Sequence, residues 1–150
     1  MSLLALGDIV VVPVAIGLAL GRLGNFINQE LYGTVTTLPW GMAFPGAEGL
    51  RHPIQFYEMI TDLVTAWVCY WSLRATSGAA SKSARSTGNT AALFLIFYSI
   101  ARFSIEFVRD QAMYPLTDIS GIAFTRGQLL TIPMFLVGVG ICLWSRWRHH

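Results

Sequence analysis

The chain has 150 residues, of which 54% are hydrophobic and only 12% are charged, with a formal net charge of +2. Soluble domains carry about 25% charged residues, so this composition excludes an ordinary soluble domain. The mean hydropathy of +0.55 favours a membrane protein. We expect no nucleic-acid partner.

Four mostly apolar stretches reach a length that crosses a bilayer, which takes about 18 residues or more for a hydrocarbon core roughly 30 Å thick. They cover about 9–28, 55–74, 91–108 and 128–146. A membrane β-barrel would instead show alternating segments of roughly ten residues. The sequence therefore predicts an all-α, polytopic membrane helical bundle with about four transmembrane helices, in a single integral membrane domain over 1–150.

The distribution of basic residues predicts the orientation of these helices. Residues 75–90 are rich in Ser, Thr, Ala and Gly, which is typical of a flexible linker. The linker with its flanking residue Arg74, and the end of the chain, carry basic residues and no acidic residue. The basic residues are Arg74, Lys82, Arg85, Arg146 and Arg148. By the positive-inside rule, the linker and the C-terminus face the cytoplasm, and residues 29–54 and 109–127 face outward.

The first predicted span ends in the polar segment GRLGNFINQELYG. If the helix continues through this segment, Arg22, Asn25 and Gln29 share one of its faces. Gly17 and Gly21 form a small-xxx-small pair, which lets a neighbouring helix approach closely. Arg22 could also extend its side chain to the membrane interface without a function. That alternative does not explain the asparagines and glycines around it.

The second predicted span opens with RHPIQFYEM. Gln55, Glu58 and Asp62 fall on one helical stripe because they are three and four residues apart. Carboxylates in a membrane helix are costly unless they are paired or hydrated, so they predict cationic partners. Arg22 and Arg102 are the expected partners.

The third predicted span ends in FYSIARFSIEFVRD, where Tyr98, Arg102 and Glu106 recur every four residues and Arg109 follows. Arg102 and Glu106 could simply pair within the helix. However, an arginine deep in a membrane segment is a functional candidate by default. Guanidinium groups match phosphate oxygens in bidentate fashion. The motifs therefore predict a site for an anionic lipid headgroup in the outward half of the bundle.

The sequence allows more than one role for Gln128 and for the loop 34–50. Gln128 could cap the fourth helix or form a hydrogen bond across helices. The loop 34–50 could be a lid or an aromatic anchor at the membrane interface. Cys69 and Cys142 match no metal or redox spacing, so we interpret them as small buried hydrophobic residues and expect neither a metal nor a cofactor.

Four motifs, in the same order along the chain, resemble those of the prolipoprotein diacylglyceryl transferase family. They are GRLGNFINQELYG at 21–33, RHPIQFYE at 51–58, YSIARFSIEFVRD at 98–110 and RGQLLTIP at 126–133. The resemblance implies a transferase that moves the diacylglyceryl group of phosphatidylglycerol to the thiol of a lipobox cysteine in a prolipoprotein. Glycerol-1-phosphate would leave, at the outer face of the bacterial inner membrane.

The resemblance also implies roles for individual residues. Arg22 would hold the phosphatidylglycerol headgroup, and Arg102 would stabilise the departing phosphate with support from Tyr98 and Glu106. Substrate binding is expected of Arg22 and of further motif residues: Asn25, Asn28, Glu30, Gly33, His52, Gln55, Tyr57 and Glu58. By its position alone, a lone interfacial histidine such as His52 is more often structural.

The match covers only the C-terminal part of the family, whose members are nearly twice as long. The upstream His-Gly-Gly motif of the family does not occur in this sequence. One alternative is therefore a truncated or split relative, which binds phosphatidylglycerol without catalysis or completes its site with a separate N-terminal chain. A small transporter using the same buried charges is a third hypothesis.

Overall fold

The computed structural model describes residues 2–77, 88–110, 117–119 and 122–147. Within them lie four long helices: α1 (Leu3–Ile27), α2 (Ile54–Ser77), α3 (Asn89–Ile105) and α4 (Arg126–Trp147). A 3-10 turn, Glu106–Val108, continues α3. An antiparallel hairpin precedes α4, with β1 (Thr117–Ile119) and β2 (Ile122–Phe124) paired from Thr117 with Phe124 to Ile119 with Ile122. The predicted all-α class is confirmed, and the short hairpin is an addition to it.

Among the described residues, three helices are long and apolar enough to cross a membrane: Leu3–Ile27, Asn89–Val108 and Arg126–Ser145. The membrane character predicted from composition is thereby supported. The remaining predicted span, 55–74, corresponds to α2, which has 24 residues but carries more polar side chains. Whether α2 also crosses the membrane stays a prediction. Most of the predicted linker, residues 78–87, lies outside the described residues.

The helices form two packed pairs, α1 with α2 and α3 with α4, which are joined where α2 packs on α3. Small side chains dominate the buried centre, with Ala15, Ala66 and Cys69 packed around Phe94. Close approach through small residues is the usual way in which membrane helices associate. Cys69 is fully buried as a free thiol, as expected of a small hydrophobic residue.

The N-termini of α3 and α4 are both capped by side chains. The carboxylate of Asp8, on α1, accepts hydrogen bonds from the backbone N–H groups of Gly88 at 2.6 Å and Ala91 at 2.8 Å. At α4, Thr125 N donates to Gln128 Oε1 and Gln128 N donates to Thr125 Oγ1, both at 3.1 Å. This reciprocal pair is a capping box. Of the two predicted roles for Gln128, the structure shows the cap.

Residues 28–53, which we call the connecting segment, join α1 to α2 and fold back onto the end of α3. Thr34 N donates to Val108 O at 2.9 Å, and Arg51 forms an ion pair with Asp110 at 2.8 Å. Phe44 is buried and stacks on Tyr32. The connecting segment therefore contacts the C-terminal end of α3 as well as the two helices that it joins.

One expectation about α1 is wrong, and a second stays a prediction. The helix ends at Ile27 and Gln29 has a φ of 57°, so Gln29 does not share a helical face with Arg22. A Cβ atom added to Gly17 or Gly21 would meet nothing within 4 Å. Among the described residues, no helix packs against this glycine pair. The face of α1 that carries it is open.

Candidate functional site

Glu58, near the start of α2, lies at the centre of a buried ionic cluster. Its side chain is only 4% exposed, so its charge needs a partner within the protein. Arg22 of α1 places Nε 3.2 Å from Glu58 Oε2, and Arg102 of α3 donates from Nη1 to Glu58 Oε1. Arg109, directly after the 3-10 turn, approaches Oε1 at 3.7 Å. One carboxylate thus ties together three arginines from three parts of the chain.

Glu106 is the second buried carboxylate of this cluster, with 2% of its side chain exposed. Its Oε2 lies 3.3 Å from Nη2 of Arg102 and 3.7 Å from Nη1 of Arg109. Arg102 therefore bridges two carboxylates, one on α2 and one at the end of α3. The pairing of Arg102 with Glu106 within one helix, considered above as an alternative, is only part of its contacts.

Asp62 lies one turn further along α2 and is 5% exposed. Its Oδ2 has no hydrogen-bond partner among the described residues. A small cavity opens beside it, lined by Arg22, Glu58, Thr61, Asp62, Tyr98, Ala101, Arg102 and Ile105. We call Arg22, Glu58, Asp62, Arg102, Glu106 and Arg109 the arginine cluster. It has three cationic and three anionic side chains, so its formal charges balance.

The four residues expected to be catalytic come together at this cavity. Arg22, Tyr98 and Arg102 line it, and Glu106 contacts Arg102 from behind. They come from α1, α3 and the 3-10 turn, and Glu58 of α2 contacts the two arginines. Of the residues expected to bind substrate, Arg22 and Glu58 lie at the cavity.

The other residues expected to bind substrate belong to the connecting segment and the helix ends beside it, and they do not line this cavity. Asn28 donates from Nδ2 to Glu30 Oε1 at 3.4 Å, and both residues are exposed. Gln55 is buried and donates from Nε2 to the backbone oxygen of Glu30 at 2.6 Å. Asn25 is half-buried, and its backbone oxygen accepts from Glu30 N at 3.0 Å.

Three more of these residues support the connecting segment. Tyr57 accepts a hydrogen bond from Trp40 Nε1 at 2.7 Å, and its hydroxyl lies 3.2 Å from His52 Nδ1. A Cβ atom on Gly33 would lie 2.5 Å from Val108 O and 2.8 Å from the Cβ of His52. Only glycine fits at position 33 without a shift of the end of α3. These motif residues thus lie in and beside the connecting segment, outside the lining of the cavity.

Sequence reasoning missed two residues of the site, Arg109 and Gly127. Arg109 has no role assigned to it in the motif, although its spacing of three from Glu106 indicates that the two could pair. Gly127 lies directly against the carboxylate of Glu106. No pattern along the chain indicates that contact, because it joins two different helices.

Comparison with known proteins agrees with the motifs. A family model described as prolipoprotein diacylglyceryl transferase matches residues 1–144. Proteins named phosphatidylglycerol–prolipoprotein diacylglyceryl transferase are similar to this chain. The one from Chromohalobacter salexigens is 44% identical over 94% of this chain and 50% of its own length. The protein from Coxiella burnetii is 43% identical over 95% of this chain and 51% of its own length. The protein from Teredinibacter turnerae is 44% identical over 97% of this chain and 48% of its own length.

The chain thus spans about half the length of the curated relatives it matches. The family match nevertheless covers nearly the whole of this chain, including every residue of the arginine cluster. The protein therefore belongs to the prolipoprotein diacylglyceryl transferase family.

Proposed function

We propose that this chain carries the phosphate-binding part of an active site that transfers the diacylglyceryl group of phosphatidylglycerol to a prolipoprotein cysteine. One observation carries the proposal. Arg22 and Arg102 lie on different helices, yet they share Glu58 and line one cavity. Two guanidinium groups converging on one buried cavity suit a phosphate, whose oxygens each accept charge-assisted hydrogen bonds. The relatives' names supply the substrates for this proposal.

The proposed reaction is a displacement at a glyceryl carbon. The thiolate sulfur of the lipobox cysteine forms a C–S bond while the C–O bond to phosphate breaks, and glycerol-1-phosphate leaves with the electron pair. Charge therefore develops on the departing phosphate. Arg22 and Arg102 would offset that charge, since cationic donors fixed in advance stabilise a transition state without reorganisation. Glu58 and Glu106 would hold the guanidinium groups in place before substrate arrives.

We further propose that the site faces outward across the bacterial inner membrane, as the basic linker indicates. Aromatic residues indicate where one membrane boundary lies, because Trp and Tyr concentrate at both membrane interfaces. An exposed group of them lies toward the C-terminal ends of α2 and α4, at the opposite end from the arginine cluster: Trp67, Tyr70, Trp71, Trp144 and Trp147. They mark the cytoplasmic boundary in this proposal.

A second candidate is a split or truncated enzyme that binds phosphatidylglycerol and needs a separate N-terminal chain for catalysis. The open face of α1 favours it. Leu20 is 63% exposed there, and Gly17 and Gly21 leave room for another helix to approach. The chain also spans only about half the length of its relatives.

The two candidates are distinguished by transfer of labelled diacylglyceryl from phosphatidylglycerol to a lipobox peptide, with binding of phosphatidylglycerol measured in parallel. Arg102→Ala is the test variant, and Arg74→Ala is the control because Arg74 is exposed at the far end of α2. Transfer that Arg102→Ala abolishes and Arg74→Ala retains supports a sufficient transferase. Binding without transfer, lost in Arg102→Ala, supports the split enzyme. Neither binding nor transfer would contradict both.

A further inference from the structure

The carboxylate of Glu106 occupies the space that a side chain at position 127 would need. A Cβ atom built on Gly127 would lie 2.7 Å from Glu106 Cδ, 2.7 Å from Oε2 and 2.8 Å from Oε1. All three distances are shorter than real Cβ contacts allow. Any residue other than glycine at position 127 must therefore displace either this carboxylate or the start of α4.

The start of α4 is not free to yield. Thr125 and Gln128, on either side of Gly127, are 2% and 6% exposed and cap the helix through two reciprocal hydrogen bonds. A reciprocal pair of this kind fixes the first helical turn, because each side chain satisfies a backbone N–H of the other residue. A Cβ atom at position 127 would therefore push on Glu106 rather than on the helix.

Glu106 is in turn tied to the arginine cluster. Its Oε2 lies 3.3 Å from Arg102 Nη2, and Arg102 reaches the cavity that it shares with Arg22. Displacing the carboxylate would leave Arg102 with Glu58 as its remaining carboxylate partner among the described residues, and would shift its guanidinium group. The position of Arg102 thus depends on the absence of a side chain on α4.

We propose that Gly127 is a positioning residue, which seats the Glu106 carboxylate against the first turn of α4 and thereby sets where Arg102 presents its guanidinium group. The expected effect on the transfer rate rests on the proposed function, whereas the contact between Gly127 and Glu106 rests on geometry alone. Gly127 itself touches no substrate. It acts through Glu106 and then through Arg102.

The test is a double-mutant cycle with Gly127→Ala and Glu106→Asp. Gly127→Ala should lower the transfer rate at saturating phosphatidylglycerol on the order of 10- to 100-fold, as expected for a misplaced catalytic group. Glu106→Asp shortens the side chain by one methylene group and withdraws the carboxylate from the added methyl group. It should therefore lower the rate by itself but raise it in the Gly127→Ala background. Such a change of sign measures direct coupling between the two residues.

Two other glycines of α4 provide matched controls. Gly140→Ala adds a methyl group with nothing within 4 Å, and should change neither rate nor stability by much. Gly138→Ala would place its methyl group 3.0 Å from Ile96 and Leu95, away from the arginine cluster. It should lower the unfolding midpoint in detergent without changing the rate of the folded protein. A loss of rate in Gly138→Ala equal to that in Gly127→Ala would reduce Gly127 to a packing role.

The affinity for phosphatidylglycerol in nanodiscs is measured for the same variants, because it reads the position of Arg102 without requiring transfer. The chain without substitutions could bind phosphatidylglycerol but transfer no diacylglyceryl group. The proposed transferase activity then fails for this chain, and the double-mutant cycle measured as affinity still tests the inference. Weakened binding in Gly127→Ala that Glu106→Asp restores supports it. Purely additive effects of the two substitutions, in rate and in affinity, would overturn it.

Discussion

At the scale of single residues, Glu58 is the group on which the arginine cluster depends. It is 4% exposed and contacts guanidinium groups from α1, from α3 and from the residue after the 3-10 turn. Pairing of buried charges does not by itself make a protein more stable, since desolvation can cancel the attraction. Removing one member is different, because it leaves the remaining charges buried without compensation.

We therefore expect Glu58→Gln to lower the free energy of unfolding by about 3 kcal/mol, the lower end of the cost of breaking a buried ion pair. The amide keeps the size of the side chain, removes its charge and replaces one acceptor oxygen with an NH2 donor. Glu48→Gln is the matched control, since Glu48 is exposed in the connecting segment. Denaturant unfolding of both variants in detergent micelles checks the difference. Equal midpoints would show that the arginines do not need this carboxylate.

At the scale of secondary-structure elements, the helices are coupled through their ends. Asp8 is a residue of α1, yet it caps α3 by accepting hydrogen bonds from two backbone N–H groups. The first backbone N–H groups of a helix have no partner within the helix, and a carboxylate also interacts favourably with the positive end of the helix dipole. Asp8 is 8% exposed, so water does not easily replace it. The cap therefore fixes α3, which carries Arg102, to α1, which carries Arg22.

Asp8→Ala should lower the free energy of unfolding by about 2 kcal/mol, the upper end of the range for loss of an N-cap, because buried N–H groups lose their acceptor. Ser2→Ala removes the cap of α1, where Ser2 is exposed and accepts one hydrogen bond at 3.3 Å. That variant should lose no more than about 0.5 kcal/mol, the lower end of the same range. Unfolding curves measured in one detergent compare the two. A smaller loss in Asp8→Ala than in Ser2→Ala would contradict the coupling.

At the scale of the whole molecule, the arginine cluster and the exposed aromatic group occupy opposite ends of the helix bundle. The connecting segment closes the end that holds the cluster, and α2 ends and α3 begins at the other end. This polarity gives the orientation a direct test. A reagent that cannot cross the membrane reaches residues on only one of its two sides.

We expect a cysteine introduced at Thr37, which is exposed in the connecting segment, to react in spheroplasts with a membrane-impermeant maleimide. A cysteine in place of Ser81, in the predicted linker, should react only after the membrane is permeabilised. Both substitutions are made in a chain whose Cys69 and Cys142 are replaced by alanine, and that background chain is the labelling control. The reverse pattern would invert the orientation derived from the basic residues.

Much of the architecture was predictable because membrane helices are specified locally. Apolar length located α2, α3 and α4 to within about three residues at each end, as the predicted 128–146 and the observed Arg126–Trp147 show. The start of α1 differs more, since the helix begins at Leu3 and not near residue 9. The end of α1 was not predictable, since Gln29 and Leu31 have left-handed backbone, a conformation that residues other than glycine rarely adopt. The approach of a helix at Gly17 and Gly21 stays a prediction, because a small residue permits an approach but does not supply the partner.

By itself, the sequence determined the helical class, the membrane character and the residues whose burial would need compensation, because each follows from hydrophobic length or from the cost of a charge in an apolar region. It also indicated that Arg22 and Arg102 would meet carboxylates. Only the tertiary structure decided that Glu58 binds both arginines, that Arg109 joins them, and that Glu106 rests on Gly127. These are contacts between helices, and their distances depend on how the helices pack, which no periodicity along a single helix records.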